Sequence, residues 1–135
     1  MYKSAIISIF LLFQLISGSV VFAESEIDAG KSHALFSQAM ANLLGLKGQQ
    51  KSPKLAFQKF EVLAQQGWKT AQHMLGNMYY KGEGTGQDSV KAYLWYSLAA
   101  KQDFSIAQEK LVFLRQSLKK EKIQEAELLI SDWKS

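Results

Sequence analysis

Two triplets of side chains share the same intervals of four and then three residues. They are His73, Asn77 and Tyr80, and, thirty-six residues further on, Glu109, Phe113 and Gln116. On an α-helix these intervals place all three side chains on one face. Polar groups beside an aromatic ring suit the capture of a peptide or a helix, because hydrogen bonds fix its register and the ring supplies contact area. An ordinary half-exposed helix face has the same pattern, so both interpretations stay open.

Catalytic and metal chemistry have less support in the sequence. His33 and His73 are the two histidines, and neither has a second ligand three or four residues away in a metal-binding pattern. The chain has no cysteine, which excludes disulfides, zinc–thiolate sites and thiol catalysis. We therefore expect no catalytic residue, cofactor or metal. The alternative is an envelope protein that binds or hydrolyses cell-wall fragments through His73 and Glu109.

The glycine-rich segment from Gly82 to Gly86 resembles a phosphate-binding loop only superficially. A phosphate loop follows a β-strand and enters its helix with a Lys-Ser/Thr pair. Here a helical pattern precedes the segment, and the carboxylate of Asp88 would repel phosphate. The segment is therefore predicted to be a turn, with Gly82 ending one helix in the left-handed conformation and Asp88 capping the next.

Composition indicates the fold class and excludes some partners. The chain has 135 residues with 47% hydrophobic and 21% charged side chains, and its single proline favours long helices over many short strands. The net charge is +4, but acidic residues are interleaved with the lysines. Nucleic-acid binders usually carry a denser stripe of one sign. We therefore expect no nucleic-acid partner.

Residues 1–23 have the features of a secretory signal peptide. Lys3 gives the segment a positively charged start, and residues 6–16 form a short, almost wholly apolar stretch. The tripeptide that ends at Ala23 matches the small residues that signal peptidase requires at its cleavage site. An uncleaved membrane anchor is the alternative, weakened by Gln14 and a following Ser-Gly break. The chain is therefore expected to be exported, to the periplasm of a Gram-negative cell or otherwise to the medium. Any membrane contact would be through an uncleaved segment.

The remaining residues, 24–135, form a domain that repeats itself at an offset of about 36 residues. Small residues align with small, aromatic with aromatic and turn with turn, as in Ala56 with Ala92, Phe60 with Tyr96 and Gly67 with Asp103. The repeat-like units cover about 32–67, 68–103 and 104–135. Each unit is predicted to be a pair of helices, which gives six helices in all. In the central unit these run from about Thr70 to Lys81 and from about Asp88 to Lys101.

The segment from Ala71 to Ala100 resembles the Sel1-like repeat, a branch of the tetratricopeptide-repeat superfamily. The chain has every element of that pattern: Ala71, Leu75, Gly76, Tyr79, Gly82, Gly84, Asp88, Lys91, Ala92, Trp95, Tyr96, Ala99 and Ala100. Two departures are Thr85 in place of valine and Asp103 in place of glycine, although aspartate tolerates the left-handed conformation better than most residues.

This resemblance implies a short all-α, right-handed solenoid of about three helix–turn–helix pairs. In the tetratricopeptide architecture the first helix of each pair lines a concave groove, and both triplets would lie there. The predicted function is accordingly that of a monomeric, non-catalytic adaptor or scaffold that holds a partner protein or peptide. A purely structural part of a larger assembly is a further alternative, because one fold serves many functions.

Overall fold

The computed structural model describes residues 28–46 and 48–133. Within these ranges residues 28–44 are helical (α1), and no strand occurs. Five further helices follow: α2 (Pro53–Gln65), α3 (Lys69–Lys81), α4 (Ser89–Ala100), α5 (Ser105–Ser117) and α6 (Lys120–Asp132). The chain divides into two compact units, Met1–Ala34 and Leu35–Ser135. The predicted signal peptide, residues 1–23, lies outside the described residues.

Three helix ends follow directly from local chemistry. Pro53 starts α2, where its missing N–H is not needed, and the Ser52 hydroxyl accepts a hydrogen bond from the Leu55 N–H. Gly82 ends α3 with φ +69°, and its N–H donates to the Met78 carbonyl. The Asp88 carboxylate accepts 3.0 Å hydrogen bonds from the N–H groups of Val90 and Lys91, the first turn of α4. The predicted turn between the central helices is thus present.

Helix α4 forms the centre of the core. Nine of its twelve residues are buried, so it is covered on every side rather than along one stripe. It packs against α3, α5 and α6. Small side chains allow this close approach, and five alanines in these helices have no exposed surface: Ala71, Ala92, Ala99, Ala107 and Ala126. Ala100, the last residue of α4 and of the repeat pattern, is half-buried.

One side-chain hydrogen bond recurs with the period of the chain. The Gln72 amide donates to the Ala64 carbonyl at 3.2 Å, and the Gln108 amide donates to the Ala100 carbonyl at 3.4 Å. Donor and acceptor are both displaced by thirty-six residues, so the first helix of one unit is attached to the last turn of the preceding unit in the same way twice. Gln102 strengthens the earlier junction by donating to the Gln72 side chain at 2.8 Å.

The last helix pair is less buried than the central pair. Helix α5 buries only Ala107 and Leu114, and α6 buries only Ala126 and Ile130 among the described residues. Trp133 is only partly packed: its ring contacts Trp95 at 4.8 Å between centroids, but its side chain is 41% exposed. A terminal repeat has a neighbour on one side only, which explains the incomplete burial.

Candidate partner-binding groove

The two predicted triplets meet where α3 lies beside α5. The rings of Tyr80 and Phe113 approach edge to face, with centroids 6.3 Å apart and planes at 82°. The two residues are 37% and 53% exposed, so both rings contact the core only in part. An exposed aromatic pair of this kind supplies a large apolar contact area with few side-chain torsions to restrict.

A cleft of about 290 Å³ opens beside this aromatic pair. It is lined by Tyr80, Tyr96, Glu109, Lys110, Phe113 and Leu114. Small-molecule sites usually enclose about 300–1,000 Å³. The cleft is therefore just below that range, a size suited to one protruding side chain of a partner. We call the surface formed by these six residues the α3–α5 groove.

Polar side chains fix the wall of the groove from behind. The Tyr96 hydroxyl donates a 2.7 Å hydrogen bond to Asn77 Oδ1, which joins α4 to α3. Burial, together with the neighbouring Tyr80 phenol, raises the pKa of Tyr96 to about 12. The Tyr96 hydroxyl consequently stays protonated at physiological pH and continues to donate its hydrogen bond to Asn77. Its ring is held in one position before any partner arrives.

His73 belongs to the same supporting layer. Its ring lies 5.8 Å from that of Tyr96 and 5.4 Å from that of Phe104, between centroids. The Asn77 amide nitrogen lies 3.4 Å from His73 Nε2. Partial burial, and secondarily the positive charge of Lys110, lower the pKa of His73 below its usual 6.5. The imidazole is therefore mainly neutral at pH 7 and acts as a packing and hydrogen-bonding group.

The structure separates the six predicted groove residues into three groups. Tyr80, Glu109 and Phe113 line the groove itself. His73 and Asn77 lie behind it and hold Tyr96. Gln116 is exposed near the end of α5 and does not line the cleft.

Sequence reasoning missed three groove residues. Lys110 lies three positions before Phe113 on α5, and Leu114 lies four positions after Lys110, so helical spacing could have included both. Tyr96 was assigned only to the repeat pattern, and it is almost fully buried. Its contribution comes from a different helix and depends on how α4 packs against α3, which no local spacing reveals.

The described residues give no support to a metal site or a membrane span. They contain no group of three or more His, Cys, Asp and Glu side chains arranged to hold a metal ion. Within the same ranges, each helix is too short or too polar to cross a bilayer. His73 and Glu109, the pair considered for cell-wall chemistry, are not hydrogen-bonded to each other in the described part of the chain.

The family model and the solved structures that match this chain are those of repeat proteins of the predicted kind. The Sel1 repeat model matches residues 69–104, which cover α3, α4 and the turn after them. No curated protein matches the chain significantly. Among solved structures, c5321, a protective antigen present in uropathogenic Escherichia coli strains and displaying an SLR fold, shares 31% identity with a TM-score of 0.71. A Sel1 repeat protein from Oxalobacter formigenes shares 35% identity with a TM-score of 0.61.

These two similarities differ in extent. The first covers 79% of this chain but 23% of c5321, and the second covers 64% of this chain and 36% of the Oxalobacter protein. The chain thus spans about a quarter and about a third of the two solved relatives. The helix pairs, the repeat and both structural matches confirm the predicted all-α solenoid of helix–turn–helix repeats. Residues 69–104 therefore match a Sel1 repeat, and the chain is similar in fold to these two solved Sel1-like repeat proteins.

Proposed function

We propose that this chain is an exported, non-catalytic adaptor whose α3–α5 groove binds a segment of a partner protein. Sel1 repeats are protein-interaction modules. The observation that carries the proposal is the exposed pair Tyr80 and Phe113 beside a cleft of side-chain size. Binding energy in protein interfaces is concentrated in a few such aromatic anchors.

Preorganisation of the groove supports the same function. The hydrogen bond from Tyr96 to Asn77 and the ring contacts of His73 are made within the chain. A partner would therefore meet a surface whose supporting side chains have already lost their rotational freedom. Avoiding that ordering cost at the moment of binding increases affinity.

Export is the part of the proposal that rests on residues 1–23 of the sequence. Secretion with cleavage after Ala23 would remove Lys3 and the apolar stretch and leave the repeat domain in the oxidising envelope or medium. Such a domain, held by a packed core without cysteines, requires no disulfide for stability there. Fractionation of cells followed by intact-mass measurement tests this directly, and a full-length cytoplasmic product would contradict export.

Site-specific photocrosslinking in cells tests the groove. A photoreactive phenylalanine derivative is placed at Gln116, exposed on α5 next to Phe113, and separately at Gln124, exposed on α6. We expect a discrete adduct from position 116 that disappears when Phe113→Ala is added. Adduct formation at position 124 alone, or a position-116 adduct indifferent to Phe113→Ala, would contradict binding in the groove.

A further inference from the structure

The last helix pair differs from the central pair in how its two helices meet. Helices α3 and α4 pack directly against each other, whereas α5 and α6 each pack mainly on α4. An exposed ion pair joins α5 to α6, with Arg115 Nη2 3.5 Å from Glu127 Oε1. Both residues line a cleft of about 350 Å³ between the two helices. This α5–α6 cleft shares no lining residue with the α3–α5 groove and is therefore a separate site.

The central helix pair shows what the α5–α6 cleft lacks. Tyr96 is the eighth residue of α4, and Glu127 is the eighth residue of α6. Both face the first helix of their own pair, because Tyr96 contacts Gly76 on α3 and Glu127 contacts Arg115 on α5. The buried Tyr96 ring fills the space between α3 and α4. The Glu127 side chain is 53% exposed and leaves the corresponding space open.

The walls of the α5–α6 cleft suit an aromatic ring. Leu111 and Ile130 supply aliphatic surface from α5 and α6, and Tyr93, almost fully buried, forms the floor. Arg115 Nε donates a 2.7 Å hydrogen bond to the Tyr93 hydroxyl, and the exposed guanidinium lies at the rim. A cation is attracted to the face of an aromatic ring but not to a saturated ring. The Glu127 carboxylate can accept a hydrogen bond from a hydroxyl or N–H group, and the volume is within the range of small-molecule sites.

We propose that the α5–α6 cleft binds a small aromatic molecule that carries a hydroxyl or N–H donor and has the size of phenol or indole. Its ring takes the place that the Tyr96 ring has in the central pair and contacts Leu111 and Ile130. Its polar group donates a hydrogen bond to the Glu127 carboxylate, and Arg115 lies against the ring. This site is additional to the proposed function and does not depend on it.

Methyl NMR of the full chain during titration with phenol tests the proposal. We expect the methyl resonances of Leu111 and Ile130 to shift together, with a dissociation constant on the order of 1 mM for so small a ligand. Cyclohexanol, a saturated ring of similar size, should bind about two- to fivefold more weakly because it lacks the attraction to Arg115. Equal binding of the two compounds would contradict a preference for aromatic rings.

Placing the missing ring in the chain itself identifies the site. Glu127→Tyr should fill the cleft and abolish the phenol-dependent shifts at Leu111 and Ile130. Leu128→Tyr adds the same ring at the adjacent position of α6, which is 68% exposed and outside the cleft, so phenol should still bind. Glu127→Gln removes the charge but leaves the space open, and binding should persist. Circular dichroism checks that the helices of all three variants are intact.

The possible results separate a ligand site from a gap in packing. If phenol shifts neither Leu111 nor Ile130 in the unchanged chain, the cleft is a packing gap and the ligand proposal is wrong, even if Glu127→Tyr stabilises the fold. Phenol binding that survives Glu127→Tyr would place the ligand elsewhere and also overturn the assignment. The crosslink from position 116 reports on the α3–α5 groove, so the proposed function is judged separately.

Discussion

Gly76 and Tyr96 are in direct contact where α4 packs against α3. A Cβ atom added to Gly76 would lie 2.7 Å from two carbons of the Tyr96 ring. The ring is buried, and its hydroxyl is bonded to Asn77, one position further along α3. Both the body and the tip of Tyr96 are therefore held by neighbouring residues of the same helix, which fixes the wall of the α3–α5 groove.

Gly76→Ala is consequently expected to destabilise the fold. Overpacking a buried site costs about 1–3 kcal/mol, and alanine recovers about 1 kcal/mol of helix propensity over glycine. The net change, a loss of up to about 2 kcal/mol, should appear as a lower urea midpoint. Gly30→Ala is the matched control, because Gly30 is also helical but a Cβ there would meet nothing within 4 Å. Equal stability of the two variants would contradict the contact.

The repeat could be predicted from the sequence because its signals are local. Glycine and aspartate at turn positions, and small and aromatic residues at helical spacing, recur in the linear order of the chain. Gly76 and Tyr96 were therefore assigned to the motif, and both lie within the residues that the Sel1 repeat model matches. Their contact with each other was not predicted, since it depends on the angle at which two helices cross.

The two repeated glutamine hydrogen bonds should differ in strength. Gln72 is 3% exposed and bonds to both Ala64 and Gln102, whereas Gln108 is exposed and bonds to Ala100 at 3.4 Å. A buried hydrogen bond contributes about 0.5–1.5 kcal/mol and Gln72 forms two, whereas water replaces a lost bond at an exposed site. The Ala64 carbonyl itself keeps the Gly67 N–H as a donor. We expect Gln72→Ala to lower the free energy of unfolding by about 1–3 kcal/mol and Gln108→Ala to change it much less.

Chemical denaturation of both glutamine variants in parallel measures this difference. A loss at Gln108 as large as that at Gln72 would mean that the hydrogen bond matters independently of burial. The comparison is well matched because both substitutions remove the same side chain from the same position in consecutive repeats.

Asp103 is strained at a position where the preceding repeat has glycine. Its φ is +57°, and Gly67, thirty-six residues earlier, has φ +88°. The left-handed conformation costs an ordinary L-residue about 1–2 kcal/mol, less for aspartate. Asp103→Gly should therefore raise the free energy of unfolding by up to about 1 kcal/mol, after the greater entropy of glycine in the unfolded chain is subtracted. Thermal unfolding of Asp103→Gly checks the sign, and Gly67→Ala, at the equivalent turn with open space around its Cα, should shift stability the opposite way.

The groove was less predictable than the turns. Helical spacing correctly placed Tyr80 and Phe113 on exposed faces, and the thirty-six-residue offset suggested that those faces were equivalent. Spacing could not distinguish His73 and Asn77, which support Tyr96, from residues that line the cleft. That distinction depends on the ring of Tyr96, which reaches the groove from α4.

Stability should fall in mildly acidic solution because of His73. Partial burial and the charge of Lys110 lower the pKa of His73 in the folded chain below 6.5. As pH falls, the unfolded chain therefore takes up this proton first, which favours unfolding. The contribution is fully present above about pH 6.5 and is lost as the pH falls toward the lowered folded pKa. Urea denaturation at several pH values between about 6.5 and 5, above the range in which most carboxylates titrate, measures the slope.

Two substitutions assign this slope to its residue. His73→Gln removes the titrating group and should flatten the pH dependence in that window, while His33→Gln, which leaves His73 in place, should preserve it. If the slope persists without His73, another group must gain protons on unfolding, and the half-buried imidazole beside Tyr96 would not be its source. If Lys110→Ala reduces the slope only in part, burial is the larger cause of the lowered pKa, as the enclosure of the ring by Tyr96 and Phe104 indicates.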